Sequence, residues 1–119
     1  MSKWNKNRFT DHMMENCSRE VAKVGNAIID FSEKHADELS WGRGNDHGTL
    51  TFRCNSDFGV LPLFHMTSEG KLESNFLREY DVVMNDVDTF EPISELFFTS
   101  SQVDKFLNTM EGCCYRLRQ

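Results

Sequence analysis

The chain changes its hydrophobic rhythm twice. In its first third, Cys17, Val21, Val24, Ile28, Phe31 and His35 recur at spacings of four and three, with Arg19, Glu20, Lys23, Asn26, Asp30 and Glu33 between them. That pattern is the apolar stripe of one amphipathic helix. Met13 and Met14 extend its apolar side, and Thr10 or Asp11 is placed to cap its start. Gly25 lowers helix propensity by roughly 1 kcal/mol relative to Ala, which suits a close approach to a neighbouring sheet.

The period then falls from about 3.6 residues to about 2. Leu50, Phe52 and Cys54 alternate with Thr49, Thr51 and Arg53, predicting a half-buried strand. Asn55-Ser-Asp-Phe-Gly59 is turn chemistry. Val60 to Met66 is apolar on both faces, as in a more central strand, but Pro62 calls for an edge or a bulge. Thr67-Ser-Glu-Gly70 reads as a tight hairpin with Gly70 at positive φ, after which Leu72 and Phe76 alternate with Lys71, Glu73 and Asn75. Glu38 to Gly42 adds a first short strand holding Trp41. Five of the seven glycines fall between Gly42 and Gly70, where they punctuate these strands.

Beyond the strands, Glu79 to Glu95 carries six acidic residues and no basic one. Pro92 suits the first turn of a short helix with Ile93, Leu96 and Phe97 buried. Ser100 or Ser101 then caps a last helix, with Val103, Phe106, Leu107, Met110, Cys114 and Leu117 on its apolar side and Gly112 ending or interrupting it. The expected architecture is a single α+β domain over residues 1–119. It has an N-terminal helix, a three- to four-stranded antiparallel meander in sequential order, and one or two C-terminal helices on one sheet face.

Composition narrows the classes. A chain of 119 residues, 39% hydrophobic with ten Phe, buries a core without disulfides or metal. No apolar run reaches the roughly 18–20 residues of a membrane span, and the polar start has no apolar segment behind it, so no secretory signal is read. The net charge is −6, and residues 61–119 hold ten acids against five bases. That balance disfavours nucleic acid, whose binders present basic surface to phosphates. It fits a solvated protein or one that meets a basic partner. Cys17, Cys54, Cys113 and Cys114 match no disulfide framework, and the expectation is a reduced, cytoplasmic chain. Adjacent Cys113 and Cys114 raise the alternative of a redox pair.

Candidate chemistry is sparse. His12, His35, His47 and His65 form no His-Glu-x-x-His, and no Cys-x-x-Cys occurs, so neither metal nor cofactor is called for. Asp86-Val-Asp88 lacks the glycine and terminal Glu of a calcium loop. Asp57 with Glu69-Gly-Lys71 has the residue types of a magnesium-dependent nuclease: two carboxylates for the metal and a Lys for the attacking water. Gly70, however, makes that tripeptide a hairpin tip. Trp41-Gly-Arg-Gly-Asn-Asp-His-Gly48 lacks the Lys-Ser/Thr of a phosphate loop. Trp41, Arg43 and His47 remain candidates for a ligand- or partner-facing rim, with Arg53 on the adjoining polar sheet face beside Thr49, Thr51, Lys71, Glu73 and Asn75.

One resemblance is carried by Trp41-Gly-Arg-Gly-x-x-x-Gly-Thr-Leu, the strand with Pro62 and Phe64, Ser68-Glu-Gly-Lys-Leu and Asn75-Phe76. Over residues 39–77 the chain resembles a small uncharacterised bacterial domain found alone or beside restriction-endonuclease-like nuclease segments. Thr49 stands where that domain usually has Ser, and Glu69 where it has Asp. The resemblance implies an accessory role near nucleic-acid-processing or defence systems and supplies no catalytic residue. The leading functional expectation is a non-enzymatic interaction module that binds a protein partner or itself. The nucleic-acid accessory role and the metal-dependent nuclease are the alternatives.

Overall fold

The computed structural model describes residues 3–42, 44–74 and 90–118. Two helices come first, α1 (Lys6–Asn16) and α2 (Arg19–His35). Strands β1 (Glu38–Ser40), β2 (Thr49–Ser56), β3 (Gly59–Thr67), β4 (Lys71–Ser74) and β5 (Glu91–Pro92) follow. A single turn, α3 (Ile93–Leu96), and a long α4 (Ser100–Leu117) complete the order. The strands form one antiparallel sheet in chain order, β1-β2-β3-β4-β5. The α+β expectation holds, with two refinements.

The N-terminal helix is two helices. Asn5 caps α1 by accepting the Arg8 N–H, and Ser18 caps α2 by accepting the Val21 N–H. Thr10 and Asp11 therefore lie inside α1 and cap nothing. Cys17 is extended (φ −119°, ψ 160°), so the chain bends there although its apolar stripe continues in phase. Gly25 is buried against the Met13 side chain and lets α1 and α2 approach closely, so its partner is a helix and not the sheet.

The meander gains a fifth, two-residue strand, because Lys71 and Leu72 pair with Pro92 and Glu91. Gly70 takes φ +85°, as a tight turn between β3 and β4 requires. Its carbonyl also accepts the Ile93 N–H at 2.8 Å, tying α3 to that hairpin. The register of β2 against β3 shifts at Phe52/Arg53: Phe52 faces Phe64, but Arg53 faces Pro62. Leu63 is thus the extra residue of a bulge, placed where Pro62 brings no ladder N–H. Thr99, not Ser100 or Ser101, caps α4, in a reciprocal capping box with Gln102. The helix runs through Gly112.

Leu50, Phe52, Cys54, Phe64, Met66 and Leu72 form the buried sheet face. Phe9 and Met13 of α1, Ile28, Ile29 and Phe31 of α2, Ile93 of α3, and Phe106 and Met110 of α4 cover it. A line of rings runs through this core. Phe31 stacks on Phe52 at 5.6 Å, Phe52 on Phe64 at 4.9 Å, and Phe106 meets Phe64 edge-on at 5.6 Å. The opposite face carries a polar row in register, Ser40, Thr51, His65 and Glu73. It is less open than the sequence suggests: Thr51 is buried, and Thr49, Arg53 and Glu73 are half-buried. Asn75 lies outside the described residues.

Cys54 of β2 and Cys114 of α4 form a disulfide, with Cα atoms 5.8 Å apart. This corrects the reading of four reduced cysteines. Each of the two sits in the inward phase of its element, so the packing of α4 on β2 brings them together. Cys114 pairs across the core and not with Cys113. The support that reduced cysteines lent to a cytoplasmic location falls with that reading. Among the described residues no helix is long and apolar enough to cross a membrane.

Arg118 closes the far end of the fold. Its Nε donates to the Asp37 carboxylate at 3.0 Å and its terminal nitrogen to the His35 carbonyl at 2.6 Å. Asp37 also accepts the Asn55 N–H at 2.8 Å. That backbone bond first, and Arg118 second, hold its pKa below the ordinary 3.8.

Two outcomes follow from these ties. The disulfide closes a separation of 60 residues, so replacing both cysteines with Ser should lower stability by about 3–4 kcal/mol in non-reducing urea denaturation. Because the folded pKa of Asp37 is depressed, its contribution is full above the ordinary carboxylate value and is lost as pH falls through the folded one. Asp37→Asn should flatten the acid limb of the stability–pH curve, and an unaltered limb would show the pairing to be inert.

Candidate functional site

The segment from Trp41 to Gly48 leaves β1 and returns as β2. It is tethered from two sides. The Trp4 backbone N–H donates to the Gly42 carbonyl at 3.2 Å, and the Trp4 indole Nε1 to the Gly44 carbonyl at 2.6 Å. From the β3–β4 turn, Ser68 accepts the Gly48 N–H on its hydroxyl at 2.9 Å and donates its own N–H to the Gly48 carbonyl at 3.0 Å. Gly48 lies beneath the Trp4 and Phe9 rings, where a Cβ would meet both at 2.8–2.9 Å. A larger residue would push out a buried aromatic.

Between α1 and this segment runs a polar groove of about 510 Å³, lined by Trp4, Arg8, Asp11, His12, Glu15 and Asp46 among others. The Arg8 guanidinium stands 4.0 Å over the Trp4 ring, a cation–π contact. The Trp4 ring also meets His12 edge-on, with centroids 5.3 Å apart. The sequence pointed to none of them as a groove: Asp11 read as a helix cap and His12 as one of four scattered histidines. Arg8 and Glu15 look like a solvated helix face until α1 is placed beside the loop, and the available signal was a lone Trp in a polar leader.

At the inner end of the groove His12 Nδ1 lies 2.8 Å from the Ser68 hydroxyl. Ser68 already accepts the Gly48 N–H, so its single hydrogen is best used toward His12. A Ser–His contact invites a hydrolase reading, which burial rules out. Ser68 has no exposed surface, so a substrate carbonyl has no approach to its oxygen. The contact is architectural: it fixes the loop, the β3–β4 turn and α1 to one hydroxyl.

The residues expected from sequence separate. Trp41 is half-buried and packs on the core, its ring edge against Phe9 at 5.4 Å. His47 stands 3.5 Å from the Glu69 carboxylate, both partly exposed. Arg53 lies on the polar sheet face, donating to the Ser40 hydroxyl at 3.0 Å with Glu38 at 4.0 Å. Arg43 is outside the described residues, as are Asp86 and Asp88.

The nuclease constellation fails on distance. Asp57 sits in the β2–β3 turn and Glu69 in the β3–β4 turn, at opposite ends of the nine-residue β3. At about 3.3 Å per residue they are about 30 Å apart, too far to share a metal ion. Among the described residues no three His, Cys, Asp or Glu side chains are grouped to hold a metal. His35 lies against the Phe31 ring at 4.6 Å, and His65 Nδ1 is 2.9 Å from the Thr51 hydroxyl. Burial, then the nearby Glu69, push the Cys17 thiol pKa up, so Cys17 is kept as thiol and not as a nucleophilic thiolate.

Ser68→Ala leaves the buried Gly48 N–H without its acceptor and frees the His12 ring. Urea denaturation should show a loss of about 1–3 kcal/mol, and a loss near zero would mean that the loop is held without that hydroxyl. Comparison with family models, with curated proteins and with solved structures finds no match for this chain.

Proposed function

We propose that the protein is a non-enzymatic interaction module that binds a protein partner. The observation that carries this reading is Phe58. It sits at the tip of the β2–β3 hairpin with 92% of its surface exposed, and Val60 beside it is also exposed. The turn that presents it is stiff. The Ser56 hydroxyl accepts the Phe58 N–H at 3.1 Å and donates to the Gly59 carbonyl at 2.9 Å. A bare phenylalanine on a braced turn is the type of anchor that partners bury, and its low loss of freedom on binding favours affinity.

Charge selects among partners. With a net charge of −6 and the exposed Asp57 next to Phe58, a partner with basic surface is favoured over an acidic one.

Phe58→Ser tests this. Its exposure predicts a change in stability within about 0.5 kcal/mol. If the tip is the anchor, retention of proteins by the immobilised chain should fall by roughly thirtyfold for the partner it binds. Equal retention by both forms would remove the tip from the interface. Sedimentation of the purified chain separates a second copy from a foreign partner. A salt-sensitive shift of labelled duplex DNA would instead favour the accessory role implied by the resemblance of residues 39–77.

A further inference from the structure

We infer that the Cys54–Cys114 bond is a gated redox lock, which a dithiol reductant opens only when the end of α4 lifts from the sheet. The bond spans the two layers of the fold, and both sulfur-bearing residues are sealed, Cys54 with 0% and Cys114 with 1% of its surface exposed.

The chemistry requires contact. A thiolate of the reductant attacks one sulfur and breaks the S–S bond, giving a mixed disulfide and one protein thiolate. The reductant's second thiol then attacks the mixed disulfide and leaves as a cyclic or protein-borne disulfide. Two electrons pass to the protein sulfurs and two protons make them thiols, while the dithiol is oxidised. Neither attack is open to a reductant in bulk water while both sulfurs are covered.

One side of the bond is fixed more firmly than the other. Cys54 belongs to β2, which is laddered to β1 on one edge and β3 on the other. Cys114 lies near the end of α4, held by Phe106 against Phe64 and Phe97, by the buried Met110, and by Arg118 one turn further on. Arg118 grips the Asp37 carboxylate and the His35 carbonyl from an exposed position. The gate is therefore the last turns of α4, and Arg118 is its latch.

The experiment treats the whole chain with oxidised glutathione, then with dithiothreitol, and traps thiols with N-ethylmaleimide at timed intervals. Peptide mass spectrometry reads Cys54 and Cys114. The inference expects both to resist alkylation after oxidation, and to be reduced at least about a hundredfold more slowly in native buffer than in denaturing urea. The native rate should level off as dithiothreitol rises, because opening becomes limiting. Arg118→Ala, a surface change, should speed native reduction several-fold, and Cys113→Ser should leave the pairing intact. Full alkylation after oxidation, native reduction as fast as in urea, an Arg118→Ala rate equal to wild type, or loss of the bond in Cys113→Ser would each overturn it.

Discussion

The stack of Phe52 on Phe64 is the contact on which the other layers rest. The two rings come from adjacent strands directly opposite each other, at the last pair before the bulge. Each ring gains roughly 2–3 kcal/mol from burial, and an aligned pair adds about 0.5–1.5 kcal/mol. Their position matters more than those sums. Phe31 extends the stack into α2, and Phe106 closes it from α4. Two helices that hardly meet in sequence are thereby registered to one point on the sheet. If β2 slipped by one residue against β3, Phe52 would turn to the polar face, its stack on Phe64 would be lost, and α2 would lose its seat.

From that point the fold divides into two ends with different ties. At one end, α1, the Trp41–Gly48 segment and the β3–β4 turn converge on the Ser68 hydroxyl and the Trp4 indole. At the other, the α2–β1 turn, the start of the β2–β3 hairpin and the end of α4 converge on the Asp37 carboxylate. The first end is a net of hydrogen bonds to backbone and makes a groove. The second is an ion pair beside a covalent bond, and it carries the hairpin that presents Phe58. The exposed apolar anchor and the polar groove are consequently at separate places on the surface.

Much of this was legible in the alternation of residues. Leu50, Phe52 and Cys54 face inward as their period says, Gly70 turns where the hairpin needs it, and Pro62 marks the bulge. What the pattern hid has identifiable causes. The break at Cys17 is invisible because the apolar stripe keeps its phase across it, leaving only Ser18 as a capping residue. A strand of two residues, Glu91 and Pro92, is too short to show a period. Cys54 and Cys114 were each readable as inward-facing, but their pairing is a fact about how α4 lies on β2. The groove depends on α1 lying beside a loop some forty residues away, so Arg8 read as ordinary surface and Asp11 as a cap. Of the residues foreseen for a rim, Trp41 turns toward Phe9 and His47 toward Glu69, while Arg53 lies on the sheet face where its alternation put it.

The tether of Trp4 to the glycine segment also decides what light can report about this molecule. The chain has two tryptophans, and both belong to the same region, Trp4 bonded to Gly44 and Trp41 packed on Phe9. Trp4 is buried under the charged Arg8 and beside an imidazole, groups that shift or quench indole emission. Intrinsic fluorescence is therefore a local gauge of the α1 end, sensitive to the groove and its loop. The α4 end carries Tyr115 but no tryptophan, so under excitation selective for indole a helix can leave the sheet there while the emission spectrum stays as it was.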